Sequence, residues 1–150
     1  DVITANQCFL YFDKVKVVPL IKKLLKPNGI FMTSHFSWLP LQDKVAYASE
    51  QLILKHNPNW TAHSFKGEIP AIPYGLGNDF TVKESFFYDE PIKFTRDEWR
   101  GRIRACRGIG AALNAEQVEK FDLEHEKILQ EMVGGNFAIL HRIDAHLMIV

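Results

Sequence analysis

An α/β fold with a mostly parallel sheet is what this sequence predicts, on three observations. "DVITA" (1–5) and "GIFMTSHF" (29–36) are short, nearly continuous apolar runs of the kind found in buried parallel strands. Between them, "VVPLIKKLLKPNG" carries apolar residues at helical spacing, giving strand, helix, strand with short joints. The chain closes on "NFAILHRIDAHLMIV", which reads as one long strand.

Each element has a local reason. In the first helix Val17, Leu20 or Ile21, and Leu24 mark the apolar face, with Lys22, Lys23 and Lys26 outside it. Pro19 suits a first helical turn, which sets the predicted start near Val18, and Pro27 and Gly29 stop the helix. A second helix follows Pro40, with a stripe of Leu41, Val45, Ala48 and Leu52, and ends at "HNP" (56–58). Residues 58–80 hold three prolines and three glycines without a sustained period, predicting a long loop of the sort that often covers a site. "TVKESFFY" (81–88) reads as a strand.

In "FTRDEW", Thr95 caps a helix while Glu98 reaches back, and Phe94 and Trp99 sit where a hydrophobic staple needs them. That helix is expected to reach about Arg107, where "GIG" (108–110) breaks it. Asn114 caps a further helix with an apolar face of Val118, Phe121, Ile128 and Met132, and His125 lies in the same stripe. Gly134 and Gly135 end it. In the closing strand Phe137, Ile139, Ile143, Ala145, Leu147 and Ile149 fall on one face, with His141 among them.

Composition bounds the function. The 150 residues fit one domain, 47% apolar and 24% charged, with eighteen basic residues balanced by eighteen acidic ones. The net charge itself argues neither for nor against nucleic acid, but the arginine stripe from Arg96 to Arg107 is too short a patch, so no nucleic-acid partner is expected. No apolar run approaches membrane-spanning length and no signal peptide is visible, so no membrane association is expected. Cys8 and Cys106 share no spacing motif and read as free thiols, which points to a cytoplasmic location. The six histidines show no pair at the spacing of a helical zinc site, so no metal is expected. Met32 and Met148 read as core filler. "NWT" (59–61) matches a glycosylation acceptor by chance.

The ordered set "DVITANQCFLYFD", "LLKPNGIFMTSHF", "FTRDEWRGRIRACRGI" and "HRIDAHLMIV" resembles the C-terminal half of a class I S-adenosylmethionine-dependent methyltransferase. The likeness is to the small-molecule branch near the methyltransferase type 11 and trans-aconitate methyltransferase-like proteins. The first two segments look like the fourth strand, its helix and the fifth strand of that Rossmann-like sheet. The third looks like its cap helices, here about 95–133, and the last like its antiparallel final strand, inserted into an otherwise parallel sheet.

The resemblance implies a fold, a reaction and a set of contacts. It implies methyl transfer from S-adenosylmethionine to a small-molecule acceptor, by a longer enzyme in which three strands and a glycine-rich loop precede Asp1. The segment after the fourth strand passes along the methionine part of the cofactor in that family, so Ala5, Asn6 and Gln7 are the expected cofactor contacts. Leu10 and Tyr11 stand where the family more often has a His-Trp pair, which leaves Tyr11 as a wall of that site. No catalytic base is identified.

Ligands in open α/β sheets bind beyond the carboxyl ends of the strands, where Asn6, Gln7 and His35 fall. Asn6 and Gln7 could instead satisfy strand-end backbone groups, and His35 could be a satisfied strand-end imidazole. Arg96, Arg100, Arg104 and Arg107 form a stripe beside Trp99 and Ile103, able to hold a carboxylate or phosphate or to lie solvated and paired with Asp97 and Glu98. The expected substrate contacts are therefore His35, Trp99, Arg100 and Arg104. "GIGAA" (108–112) and "YGLG" (74–77) lack the strand-before, helix-after context of a phosphate loop and read as turns.

A second function class is a non-catalytic domain that binds a partner chain through an exposed sheet edge. Val2, Ile3 and Ala5 read as buried on both faces, so the strand Asp1 to Ala5 is expected to pair its outer edge, with a homodimer as one route.

Overall fold

The structure is a computed structural model that describes residues 1–73 and 75–150. Its elements are β1 (Val2–Asn6), α1 (Lys14–Leu24), β2 (Ile30–Trp38), α2 (Lys44–His56), β3 (Thr81–Thr95), α3 (Arg96–Arg104), α4 (Ala115–Met132) and β4 (Asn136–Ile149). Single turns of 3-10 helix lie at Phe9–Tyr11 and Ala62–Ser64. The fold is α/β with an open, mixed four-stranded sheet in the order β1-β2-β4-β3.

β1 and β2 run parallel, from Val2 opposite Ile30 to Asn6 opposite Ser34. The parallel pair needs a crossover, which α1 supplies. Along β2 and β4 the partners run in opposite senses. The Leu39 amide donates to the Leu140 carbonyl, and the His35 ring meets Asp144. β4 is therefore antiparallel to β2, and the same register sets Thr33 opposite His146 and Phe31 opposite Met148.

Several boundaries moved from their predicted positions for identifiable reasons. α1 starts at Lys14, a turn earlier than expected, because Asp13 caps it by accepting from the Val15 amide. Pro19 thus sits inside the helix and cannot bond the Val15 carbonyl, but Val15 is 85% exposed and water can replace that bond. β3 runs through Pro91 to Thr95 instead of stopping at Tyr88, since an edge strand can turn a proline outward. α3 ends at Arg104, short of Arg107. β1 was expected to be buried on both faces. Instead the burial alternates: Ile3 and Ala5 face the core, while Val2, 60% exposed, lies with Thr4 and Asn6 on the uncovered face of this edge strand.

The chain divides into two compact units. The first comprises Asp1–Ser37, Glu68–Asp89 and Arg142–Val150. Its core gathers Phe9, Val18, Ile21, Phe31, Leu76, Phe80 and Met148, with Phe31 edge-on to Phe9 at 5.3 Å. Burying each of these large side chains contributes about 2 kcal/mol.

The second unit comprises Trp38–Gly67 and Glu90–His141. In it α4 packs on α2 and α3 around Ile53, Trp99, Ile103, Phe121, Leu129 and Ile139. The predicted capping box joins Thr95 and Glu98, and the Phe94 and Trp99 rings lie 5.2 Å apart. Asn114 and Gln117 form a second capping box at α4. The "GIG" segment is a packed turn. A Cβ on Gly108 would fall 2.8 Å from Ile53 and 2.9 Å from Trp60, and one on Gly110 would fall 2.6 Å from the Arg104 carbonyl. "YGLG" includes Tyr74, which lies outside the described residues; Gly75 and Gly77 have φ of 79° and 52°, as a turn requires.

Polar cores run through both units. In the second, the Ser49 hydroxyl receives the Trp99 indole N–H at 2.9 Å and meets His125 Nε2 at 2.9 Å and the Val45 carbonyl at 3.0 Å. Glu50 is fully buried and accepts from the Trp38 and Trp60 indoles at 2.7 and 2.5 Å. β4 buries Ile139 and His141 in this unit, and Asp144, His146 and Met148 in the first. The odd-numbered face expected for the strand holds at Ile139, His141 and Ala145, but after His141 the even-numbered Asp144, His146 and Met148 are buried as well.

Candidate functional site

The candidate site is built at the carboxyl end of β1 and on the adjoining stretch of β2, within the first unit. β1 stops because Gln7 adopts a left-handed conformation, φ 58°, which turns the chain out of the sheet. Gln7 fixes this turn with its whole amide. Oε1 accepts from the Phe36 amide at 2.7 Å and Nε2 donates to the Phe36 carbonyl at 2.9 Å. Its backbone N–H donates to the Ser34 carbonyl at 2.8 Å. Asn6 accepts the Ser34 hydroxyl on Oδ1 at 2.8 Å. Ala5 is buried in the core beneath them, while Tyr11 stands 61% exposed on the turn that follows. Lys14 holds that turn by donating to the Phe9 and Phe12 carbonyls at 2.6 and 2.8 Å.

One face of β2 carries Thr33 and His35, and the register of β4 sets His146 and Asp144 against them. His35 Nδ1 lies 3.2 Å from Asp144 Oδ1. His146 Nδ1 lies 3.8 Å from the same oxygen, and its Nε2 donates to the Pro70 carbonyl at 2.8 Å. These side chains are enclosed: Thr33 is fully buried, and Asp144 and His146 are 4% and 1% exposed. Thr33 Oγ1, His35 Nε2 and His146 Nδ1 are buried without a hydrogen-bond partner among the described residues. Three such atoms in one row depart from the near-complete pairing of protein interiors.

The remaining expected substrate contacts belong to the second unit and are occupied there. Trp99 is fully buried, and its N–H is taken by Ser49. Arg100 donates to Asp122 at 2.6 and 3.1 Å and also faces Asp97 and Glu126 at 3.3 Å. Arg104 donates to the same Asp122 at 2.6 Å. The two guanidiniums hold Asp122 well ionised and tie α3 to α4, so carboxylate recognition is already satisfied within the protein. The structure brings Ala5, Asn6, Gln7, Tyr11 and His35 into one unit and leaves Trp99, Arg100 and Arg104 in the other.

Sequence reasoning passed over Thr33, Asp144 and His146. The signal was present in "DAH": an acid and a histidine two apart in a strand otherwise rich in apolar residues share one face. Among the described residues no group of three or more His, Cys, Asp or Glu is arranged to hold a metal, and no helix is long and apolar enough to cross a membrane. No protein-family model matches the sequence, and no curated protein matches it.

Proposed function

We propose that this chain is the C-terminal half of a Rossmann-like enzyme that transfers a methyl group from S-adenosylmethionine to a small-molecule acceptor. The observation that carries the reading is the place of the last strand. β4 enters antiparallel to β2, between β2 and β3, as the resemblance implies for the closing strand of such a sheet. A polar strand end supports it, since β1 finishes in Asn6 and a left-handed Gln7.

The residues present fit the amino-acid half of the methyl donor. Asn6 binds Ser34 through Oδ1, which leaves Nδ2 to face a ligand carboxylate, and Tyr11 is exposed on the turn that follows. Gln7 spends both ends of its amide on Phe36, so its part is to hold the turn. The donor supplies an activated methyl group, and these residues orient it toward the acceptor.

The test joins the chain to the residues encoded immediately upstream of Asp1. Calorimetry should show S-adenosylmethionine binding in the extended protein and none at micromolar strength in the 150-residue chain. In the extended protein Asn6→Ala should weaken binding by about 1 kcal/mol, roughly fivefold, with little loss of stability. Gln7→Ala should instead lower the melting temperature. An upstream start codon directly before Asp1, or an extension that brings no binding, overturns the reading.

The second reading is association of two copies through the β1 edge. It is favoured by the open edge and by Val2, Leu20 and Leu24, which are 60%, 55% and 70% exposed. It is expected to give a dimer in light scattering, with slow amide exchange at those residues of Val2–Asn6 whose N–H points away from β2. A monomer with fast exchange at those outward amides excludes it.

A further inference from the structure

We infer that His35, oriented by Asp144, is the proton acceptor of this site, and that the substrate is therefore one whose nucleophile must lose a proton: a hydroxyl or an amine. The inference rests on the methyl-transfer reading and goes further, to the base and the acceptor class. Asp144 Oδ1 at 3.2 Å accepts from His35 Nδ1, which places the ring hydrogen there and leaves the lone pair on Nε2. That nitrogen is buried and has no hydrogen-bond partner among the described residues. An imidazole aligned by a carboxylate, with its second nitrogen unused, has the arrangement of a general base and its orienting group.

Position agrees with this role. β1 pairs with β2 as far as Ser34, so His35 is the first residue of β2 past the end of its parallel partner. Thr33 Oγ1 and His146 Nδ1, both without hydrogen-bond partners, line the same face and can receive the rest of a polar substrate. His146 is itself fixed in this row by its Nε2 bond to the Pro70 carbonyl. In the reaction the acceptor's O–H or N–H proton passes to His35 Nε2 as its lone pair bonds to the methyl carbon. The methyl carbon–sulfur bond breaks with its electron pair remaining on sulfur, so the donor leaves as a neutral thioether. The imidazolium formed lies against Asp144. His35 is thus a catalytic residue and Asp144 a positioning residue.

The test uses the protein extended through its upstream residues, tritiated S-adenosylmethionine, and a panel of phenols, alcohols, amines and carboxylic acids. A phenol, alcohol or amine should be methylated, and His35→Gln should lower kcat roughly 100-fold with KM and donor binding unchanged. Asp144→Asn should lower kcat about 10-fold or more, with partial rescue in Asp144→Glu. Long-range 1H–15N spectra should find the His35 hydrogen on Nδ1 in the native protein and redistributed toward Nε2 in Asp144→Asn. Methylation of carboxylic acids alone, or of any acceptor with kcat indifferent to His35→Gln, overturns the inference and leaves the methyl-transfer reading standing. A His35 hydrogen on Nε2 in the native protein also overturns it. Donor binding without any acceptor methylated across the panel counts against the base and the acceptor class. Absence of both donor binding and methylation overturns the reading and the inference together.

Discussion

Glu50→Ala is expected to destabilise the protein by about 3 kcal/mol, among the largest effects of any single substitution here. The carboxylate is fully buried on α2 and binds two indoles, one on β2 and one in the loop after α2. Burial pushes its pKa up, and the two indole N–H groups draw it partly back. Removing it strands two donors, Trp38 Nε1 and Trp60 Nε1, which lose partners without gaining water. It also frees Trp60, whose ring packs where a Gly108 Cβ would lie. Glu50→Gln separates shape from bonding. It fills the same space but turns an amide N–H toward one indole N–H, so it should cost about 1–2 kcal/mol. Urea unfolding followed by tryptophan fluorescence measures both. A Glu50→Ala loss under about 1 kcal/mol would show that water reaches the indoles and that the pair of bonds is not a buried clamp.

How much of this was legible in the sequence depends on how far apart the interacting residues lie. The capping box of Thr95 and Glu98 and the cap at Asn114 could be read directly, because their bonds close within three residues. The helix–strand order was legible from apolar periodicity. The buried polar residues were not. Ser49 and Glu50 follow Ala48 in what reads as a helical flank, and their partners His125 and Trp38 lie 76 and 12 residues away. No local pattern marks such a pair. The site shows the same division. Asn6, Gln7 and His35 could be placed from strand ends, whereas the partnership of His35 with Asp144 spans 109 residues and needs the β2–β4 register. The arginine stripe was visible, but its neutralisation by Asp122 depends on how α4 packs against α3.

Stability should also fall as the solution is acidified below pH 6.5, and His125 is the reason. Burial is the main cause that pushes its pKa down from 6.5 to about 4; Asp122 opposes the shift, and Arg100 and Arg104 add to it. The geometry explains why the ring stays neutral. With the Ser49 hydroxyl donating to the Val45 carbonyl, its oxygen accepts both the Trp99 N–H and His125 Nε2–H. Nδ1 then has no hydrogen-bond partner among the described residues, so a proton added there would be a buried donor with nothing to bond. The sign follows from linkage. Above pH 6.5 neither state binds the proton and His125 makes no pH-dependent contribution. Between pH 6.5 and about 4 the unfolded chain takes up a proton that the folded protein refuses, so unfolding is favoured progressively. The loss from this one group is about 2 kcal/mol at pH 5 and approaches roughly 3 kcal/mol below pH 4. His141, pushed down mainly by burial, acts in the same direction, whereas Glu50, with its raised pKa, acts against it at the acid end. His125→Gln isolates the contribution, because its amide can still donate to Ser49 but cannot titrate. Unfolding free energies from urea titrations at pH 7.5 and pH 5 should differ by about 2 kcal/mol less in His125→Gln than in the native protein. Equal pH dependence in the two proteins would mean that His125 ionises in the folded state as freely as in the unfolded one, and that the Ser49–His125–Trp99 core admits water.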